Sequence, residues 1–202
     1  MKLALLPLTL HLMPGGKVPL RIFEPRYIRM VSEASRSGTG FGIGMLDELD
    51  ELDELDEASH SDLFTLGTRV NITDFYTLEG GLLGITVEAV DRFRILQLER
   101  EADGLLRAEV ELLDNWQPCT LSPTEQVLSD KLQEVFAEYP ELADLYPAPR
   151  WRDAAWVTQR WLEVLPLQGR QALKLMAADS CHRALGFLMS ILTSPSQPEQ
   201  RH

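Results

Sequence analysis

The chain is poor in the residues that most catalytic and metal-binding sites are built from. Of 202 residues only two are cysteine and four are histidine. Cys119 and Cys181 stand far apart, outside any CxxC arrangement and with no histidine at ligand spacing. That excludes a recognisable zinc motif and a disulfide framework, so both are expected as reduced, buried thiols in a cytoplasmic protein. His11, His60, His182 and His202 are scattered, which excludes an HExxH helix, and no G-x-S-x-G elbow occurs. The four lysines, Lys2, Lys17, Lys131 and Lys174, have no serine partner by motif. No phosphate-binding loop is present either, because the only Gly-Lys, Gly16-Lys17, is followed by Val18 and has His11 where the first glycine belongs. Long apolar runs are missing as well. The stretch Leu185–Leu192 is far short of the roughly 20 residues a membrane span needs, and the N-terminus reads as a strand rather than a cleavable leader. We therefore expect no cofactor, no metal and no membrane.

What is abundant is acid. The formal charge is −12, but eight of the 31 acids lie in the tract Asp47–Glu57, leaving 23 against 19 bases elsewhere. The body is only mildly acidic, which still disfavours nucleic acid as a partner. Within the tract the leucines recur every third position and drift by about 60° per step around a helix, so they make no lasting stripe. It reads as a solvated insertion between two strands.

Residues 1–116 carry short segments of period two, whereas residues 121–194 have helical spacing throughout, and 195–202 read as a loose tail. Leu105–Leu113 alternates apolar with charged residues, the mark of a strand with one wet face. Thr68–Leu78 and Leu82–Leu98 read alike, joined by Glu79-Gly80-Gly81. In Gly38–Met45 every glycine falls on one face, which predicts close approach of another backbone. Ser122-Pro123-Thr124-Glu125 predicts a capping box opening a helix. A Trp-rich helix is expected around Arg152–Val164, and a last one capped by Asp179. Trp151, Trp156 and Trp161 would be spaced about 140° apart on a single helix, so all three could not face one core. Trp156 is the candidate for an exposed, partner-binding side chain.

The most specific stretch is N-terminal: Leu6-Pro7-Leu8, Met13-Pro14-Gly15-Gly16, then Pro19-Leu20-Arg21-Ile22-Phe23-Glu24-Pro25-Arg26-Tyr27. A strand ends there and a helix begins, with Pro25 at the first helical position, Glu24 at the positive end of the helix dipole and Phe23 placed to staple onto Ile28. Arg21, Glu24 and Arg26 read as a polar network pinning this corner. The stretch resembles the opening signature of the LON N-terminal substrate-binding domain family. Gly67-Thr68, Asp74-Phe75 and Asp91-Arg92-Phe93-Arg94 are similar to its second block, and Leu165-Pro166-Leu167 to its helical end. Two departures stand out: the acidic tract is an insertion, and Ala89 replaces a usual glycine.

The resemblance implies an α+β fold, a PUA-like β-barrel-type subdomain followed by a helical bundle. It also implies recognition of unfolded polypeptide or a protein partner, without the ATPase and peptidase parts of a Lon protease. Two alternatives come with it. One is an RNA-binding PUA-like module, for which Arg69, Arg92, Arg94, Arg100 and Arg107 would have to form a basic strip. The other is an accessory subunit of an ATP-dependent protease.

Overall fold

The structure is a computed structural model that describes residues 1–45, 66–167 and 169–192. The acidic tract and the tail from Pro195 lie outside the described residues. The order is β1 (Lys2–Leu8), β2 (Lys17–Ile22), α1 (Pro25–Ser37), β3 (Phe41–Met45), β4 (Leu66–Thr77), β5 (Leu83–Arg100) and β6 (Leu106–Leu113). Then come α2 (Gln126–Glu138), α3 (Pro140–Ala143), α4 (Ala154–Val164), α5 (Gly169–Met176) and α6 (His182–Leu192). It is a mixed α+β molecule with one six-stranded sheet.

The sheet runs β2-β5-β4-β3-β1-β6. Only β1 and β3 are parallel neighbours. At 18 residues, β5 is long enough to serve three partners: its first half pairs with β2 and β4, its second with β6. The pairings therefore pass from β5 through β4, β3, β1 and β6 and return to β5. β1 reads as a continuous apolar run because it is covered on both faces. Leu3 and Leu5 meet Phe93, Ala108 and Val110, while Ala4 and Leu6 meet Met30, Val31 and Ala34 of α1 together with Phe41 and Val87.

The glycine face of β3 is used differently from the expectation. A Cβ on Gly42 would strike Leu5 and the Phe93 ring, and one on Gly67 would strike the same ring. The glycines thus make room for a fully buried aromatic side chain, and Gly67 in addition for the Ile43 backbone carbonyl. At Gly40, at φ +70°, the approach is that of a backbone, as expected: a Cβ there would meet the Val70 carbonyl.

The helices α2, α4, α5 and α6 pack around a second core of Leu128, Leu132, Trp156, Trp161, Met176 and Leu188, to which the strands contribute Leu66. α4 lies at its centre, buried at every position from Ala154 to Leu162. Its start is set by Asp153, whose carboxylate accepts the Ala155 N–H at 3.0 Å. Because the helix begins at Ala154, Trp151 is not on it, and spacing the three tryptophans around one wheel does not apply. Trp156 is only 3% exposed, boxed edge-on by Trp151 and Tyr146 with ring centroids at 5.2 and 5.8 Å. The exposed-anchor expectation for Trp156 is therefore overturned. Two caps also differ from expectation. Glu125 accepts the Ser122 N–H at 2.8 Å, but the Ser122 hydroxyl turns to Thr124 instead of the helix. α6 starts at His182, three positions past Asp179.

Candidate functional site

Two neighbourhoods collect the chain's unusual groups. The first is the junction between sheet and helices. Arg92, on β5, is 1% exposed and projects away from Phe93 toward the helical core. Its guanidinium donates to the carbonyls of Asp114, Met176 and Ala178, the last at 2.8 Å, and lies over the Trp116 ring. Trp116 donates its indole N–H to the same Ala178 carbonyl at 2.6 Å. Burial lowers the Arg92 pKa, and the charges of Asp179 and Asp114 partly restore it. Backbone carbonyls, which carry only partial charge, thus hold a buried cation.

A second buried arginine closes the junction from the other side. Arg160 on α4 is ion-paired with Glu163: its Nη2 donates to Oε1 at 2.8 Å, and its Nε lies 2.7 Å from Oε2. Arg160 also donates to the carbonyls of Met13 and Pro14, both at 3.2 Å, while Glu163 accepts the Met13 N–H at 2.7 Å. Burial pushes the Glu163 carboxyl up, against the charge of Arg160 and the Met13 N–H. The Met13–Gly16 turn is thereby clamped onto α4. Its Gly15 N–H donates to the Ala89 carbonyl at 2.7 Å, and the Ala89 N–H donates to the Gly16 carbonyl at 2.8 Å. Ala89 makes both bonds of this close approach with its side chain buried. A Cβ on Gly16 would collide with Glu163. Tyr146 adds one more tie by accepting the Lys17 N–H at 2.9 Å, and burial pushes its phenol up to about 12.

The second neighbourhood is a groove of about 340 Å³ between the end of α1 and the outer part of β4. Ala34, Ser35 and Gly38 line one side, and Asn71, Ile72 and Phe75 the other. β3 pairs with β4 only as far as Val70, so Asn71–Thr77 has β5 on one side and, among the described residues, no strand on the other. Phe75 is 52% exposed on this edge, and its N–H is held by the Asp74 carboxylate at 2.8 Å. The other free edge, β2, is less receptive, because Pro19 lacks an N–H and Lys17 and Arg21 flank it.

The signature residues distribute themselves over both places. Glu24 pairs with Arg26 at 2.7 Å, and Arg26 reaches the Gly104 carbonyl at 3.2 Å and lies over Tyr27. The corner before α1 is thus tied to the β5–β6 turn, with Pro25 opening the helix. Arg21 stands apart from that network, exposed on β2 opposite Gly84. Phe23 and Ile28 are 62% and 45% exposed, so the expected staple does not form as a buried contact. Asp74 belongs to the groove edge, Arg92 to the junction, and Phe93 to the core.

The basic strip required for RNA does not assemble. Arg92 is buried, Arg69 pairs with Asp91, Arg94 with Glu111 at 3.1 Å, and Arg107 with Glu33 and Glu101. Only Arg100 of the five lacks such a partner among the described ion pairs. None of the described helices is long and apolar enough to cross a membrane.

Sequence patterning identified Arg92 and the corner residues but missed the Arg160–Glu163 clamp. Its signal was an arginine and a glutamate three apart in an otherwise uncharged helix, a spacing that puts both on one face.

The fold has counterparts among solved structures. A Lon N-terminal domain protein from Xanthomonas campestris is 28% identical, with a TM-score of 0.72, covering 95% of this chain and 98% of that one. The N-terminal domain of the Mycobacterium avium complex Lon protease shares the fold at 15% identity, with a TM-score of 0.60 over 94% and 97% of the two chains. Residues 2–200 match the family described as the ATP-dependent protease La (LON) substrate-binding domain, and the chain belongs to that family.

Proposed function

We propose that this chain is a polypeptide-recognition module that binds extended segments of unfolded or partner proteins and has neither ATPase nor peptidase activity of its own. Residues 1–116 would act as the PUA-like, barrel-type binding subdomain and residues 121–194 as a helical bundle that braces it, in the cytoplasm. The observation that carries this reading is the β4 edge Asn71–Thr77, unpaired among the described residues, with Phe75 exposed beside the groove under α1. A polypeptide laid along that edge would gain backbone hydrogen bonds from β4 and place alternate side chains in the groove. Main-chain recognition of this kind reads little sequence, so binding should be weak and degenerate. The pairing of Arg69, Arg94 and Arg107 with acids supports polypeptide over nucleic acid.

Titrating a reduced, carboxymethylated unfolded protein into the full chain should shift the amide resonances of residues 71–77 and of the last turns of α1 at micromolar to millimolar concentration. Phe75→Asp should weaken the binding at least tenfold and leave the melting temperature within a few degrees. A flat titration across several unfolded proteins, or shifts confined to other faces, ends this reading. Cleavage of casein by the purified chain, with or without ATP, would overturn its non-catalytic part.

A further inference from the structure

Cys119 and Cys181, expected to be independent buried thiols, lie with their sulfurs 3.4 Å apart. They come from separate places: Cys119 from the connection between β6 and α2, Cys181 from the turn before α6. Their exposures differ. Cys181 is 1% exposed, whereas Cys119 is half-buried on the wall of an open cleft of about 630 Å³ that Pro118, Pro149, Trp151 and Arg152 also line. The backbone of Cys119 is fixed from both sides, its N–H donating to Asp153 at 3.3 Å and its carbonyl accepting the Ala154 N–H at 2.7 Å. The turn before α6 is fixed as well, since Arg92 and Trp116 both hold the Ala178 carbonyl. Two thiols held in contact by anchored backbones are placed to close to the ~2.05 Å of a disulfide.

We propose that Cys119 and Cys181 form a reversible dithiol–disulfide pair that takes its oxidising equivalents from a small anionic disulfide such as oxidised glutathione, entering at the cleft. The Cys119 thiolate attacks one glutathione sulfur, the glutathione S–S bond breaks and one glutathione leaves as thiol. The Cys181 sulfur, giving up its proton, then attacks the Cys119 sulfur and displaces the second glutathione. Two protein hydrogens end on two glutathione thiols, and one S–S bond replaces another. The order follows from access: Cys119 faces the cleft, whose charged lining of Arg152, Arg150 and its partner Asp153 is net positive, while burial and the neighbouring Cys119 push the Cys181 thiol up to about 12. The product is a covalent fourth tie at the junction already held by Arg92, Trp116 and Asp153.

The test is incubation of the intact chain with oxidised glutathione, followed by intact-mass and peptide analysis and by melting. The expected product has lost two hydrogens, yields a Cys119–Cys181 cross-linked peptide, and melts roughly 5–10 °C higher than the reduced chain. Cys181→Ser should instead stop at a stable glutathione adduct on Cys119, and Cys119→Ser should resist modification. Two free thiols after incubation, glutathione on both cysteines, a disulfide-linked dimer, or a cross-link with no change in melting would each overturn the proposal.

Discussion

The junction and the groove invert the usual distribution of polarity in opposite ways. At the junction two guanidinium groups and a carboxylate are taken out of water, each held by backbone groups from the other half of the chain. At the groove, aromatic and aliphatic groups are left in water on a strand edge that nothing else in the described chain pairs with. A buried charge is costly unless its partners are in place, so it disfavours any arrangement in which sheet and helices shift. An exposed apolar edge stabilises nothing in the free protein and becomes favourable only when something covers it. The difference teaches that rigidity and binding are assigned to separate places, and substitutions should separate them too.

The largest effect should come from Arg92→Met. It removes the donor shared by three carbonyls and leaves the Asp114 and Met176 acceptors poorly satisfied in the interior, while Ala178 keeps only the Trp116 N–H. A loss of about 3–5 kcal/mol in urea denaturation is expected. The folded fraction should still bind unfolded protein at the β4 edge. If Arg92→Met abolished binding while stability held, the two places would not be separate.

Next comes Glu163→Gln. The amide keeps the shape and can still accept from Met13, but Arg160 then lies buried without a counter-charge, at a cost of about 3 kcal/mol. Removing both charges, Arg160→Met with Glu163→Gln, should cost less than removing the carboxylate alone. A double variant weaker than the single one would show that the guanidinium stabilises the Met13–Gly16 turn through its contacts with the Met13 and Pro14 carbonyls, independently of the ion pair.

How much of this was legible in the sequence depended on whether the signal was local. Period-two alternation located β6 within one residue, and Pro25 located the start of α1, because each depends on neighbours in sequence. The corner pair Glu24–Arg26 was legible for the same reason. The face that Trp156 presents was not, since it depended on where α4 begins and on Phe136 and Tyr146 closing over it. Nor were the thiol pair and the seating of Arg160 on the Met13 and Pro14 carbonyls, whose partners come from distant segments and carry no spacing rule. The groove was only half legible. Asp74-Phe75 stood out as a block, but its exposure follows from β3 leaving β4 at Val70, which is a matter of register.

The smallest effect should come from the surface, where two guanidinium groups again meet carboxylates but in a different environment. Arg29 and Arg107 bind Glu33, Glu101 and Asp103 across α1, the β5–β6 turn and β6. Hydrogen bonds from Arg107 hold the Glu33 carboxyl below its ordinary value of 4.5, those from Arg29 do the same for Glu101, and the Leu105 N–H followed by Arg29 does so for Asp103. Each carboxyl binds its proton less readily in the folded state than in the unfolded one. Their stabilisation is therefore complete above the unfolded value near 4.5 and is lost as pH falls through the depressed folded values. Because the groups are largely exposed, water and salt screen them, and only a small shift is expected. The wild type should melt slightly above an Arg29→Gln, Arg107→Gln double variant at pH 7 and low salt. That gap should close on acidification below about pH 4.5, and also in high salt at neutral pH. A gap that persists in acid and in molar salt would mean that these arginines act through packing of their stems against α1, and that the surface cluster belongs with the junction rather than in contrast to it.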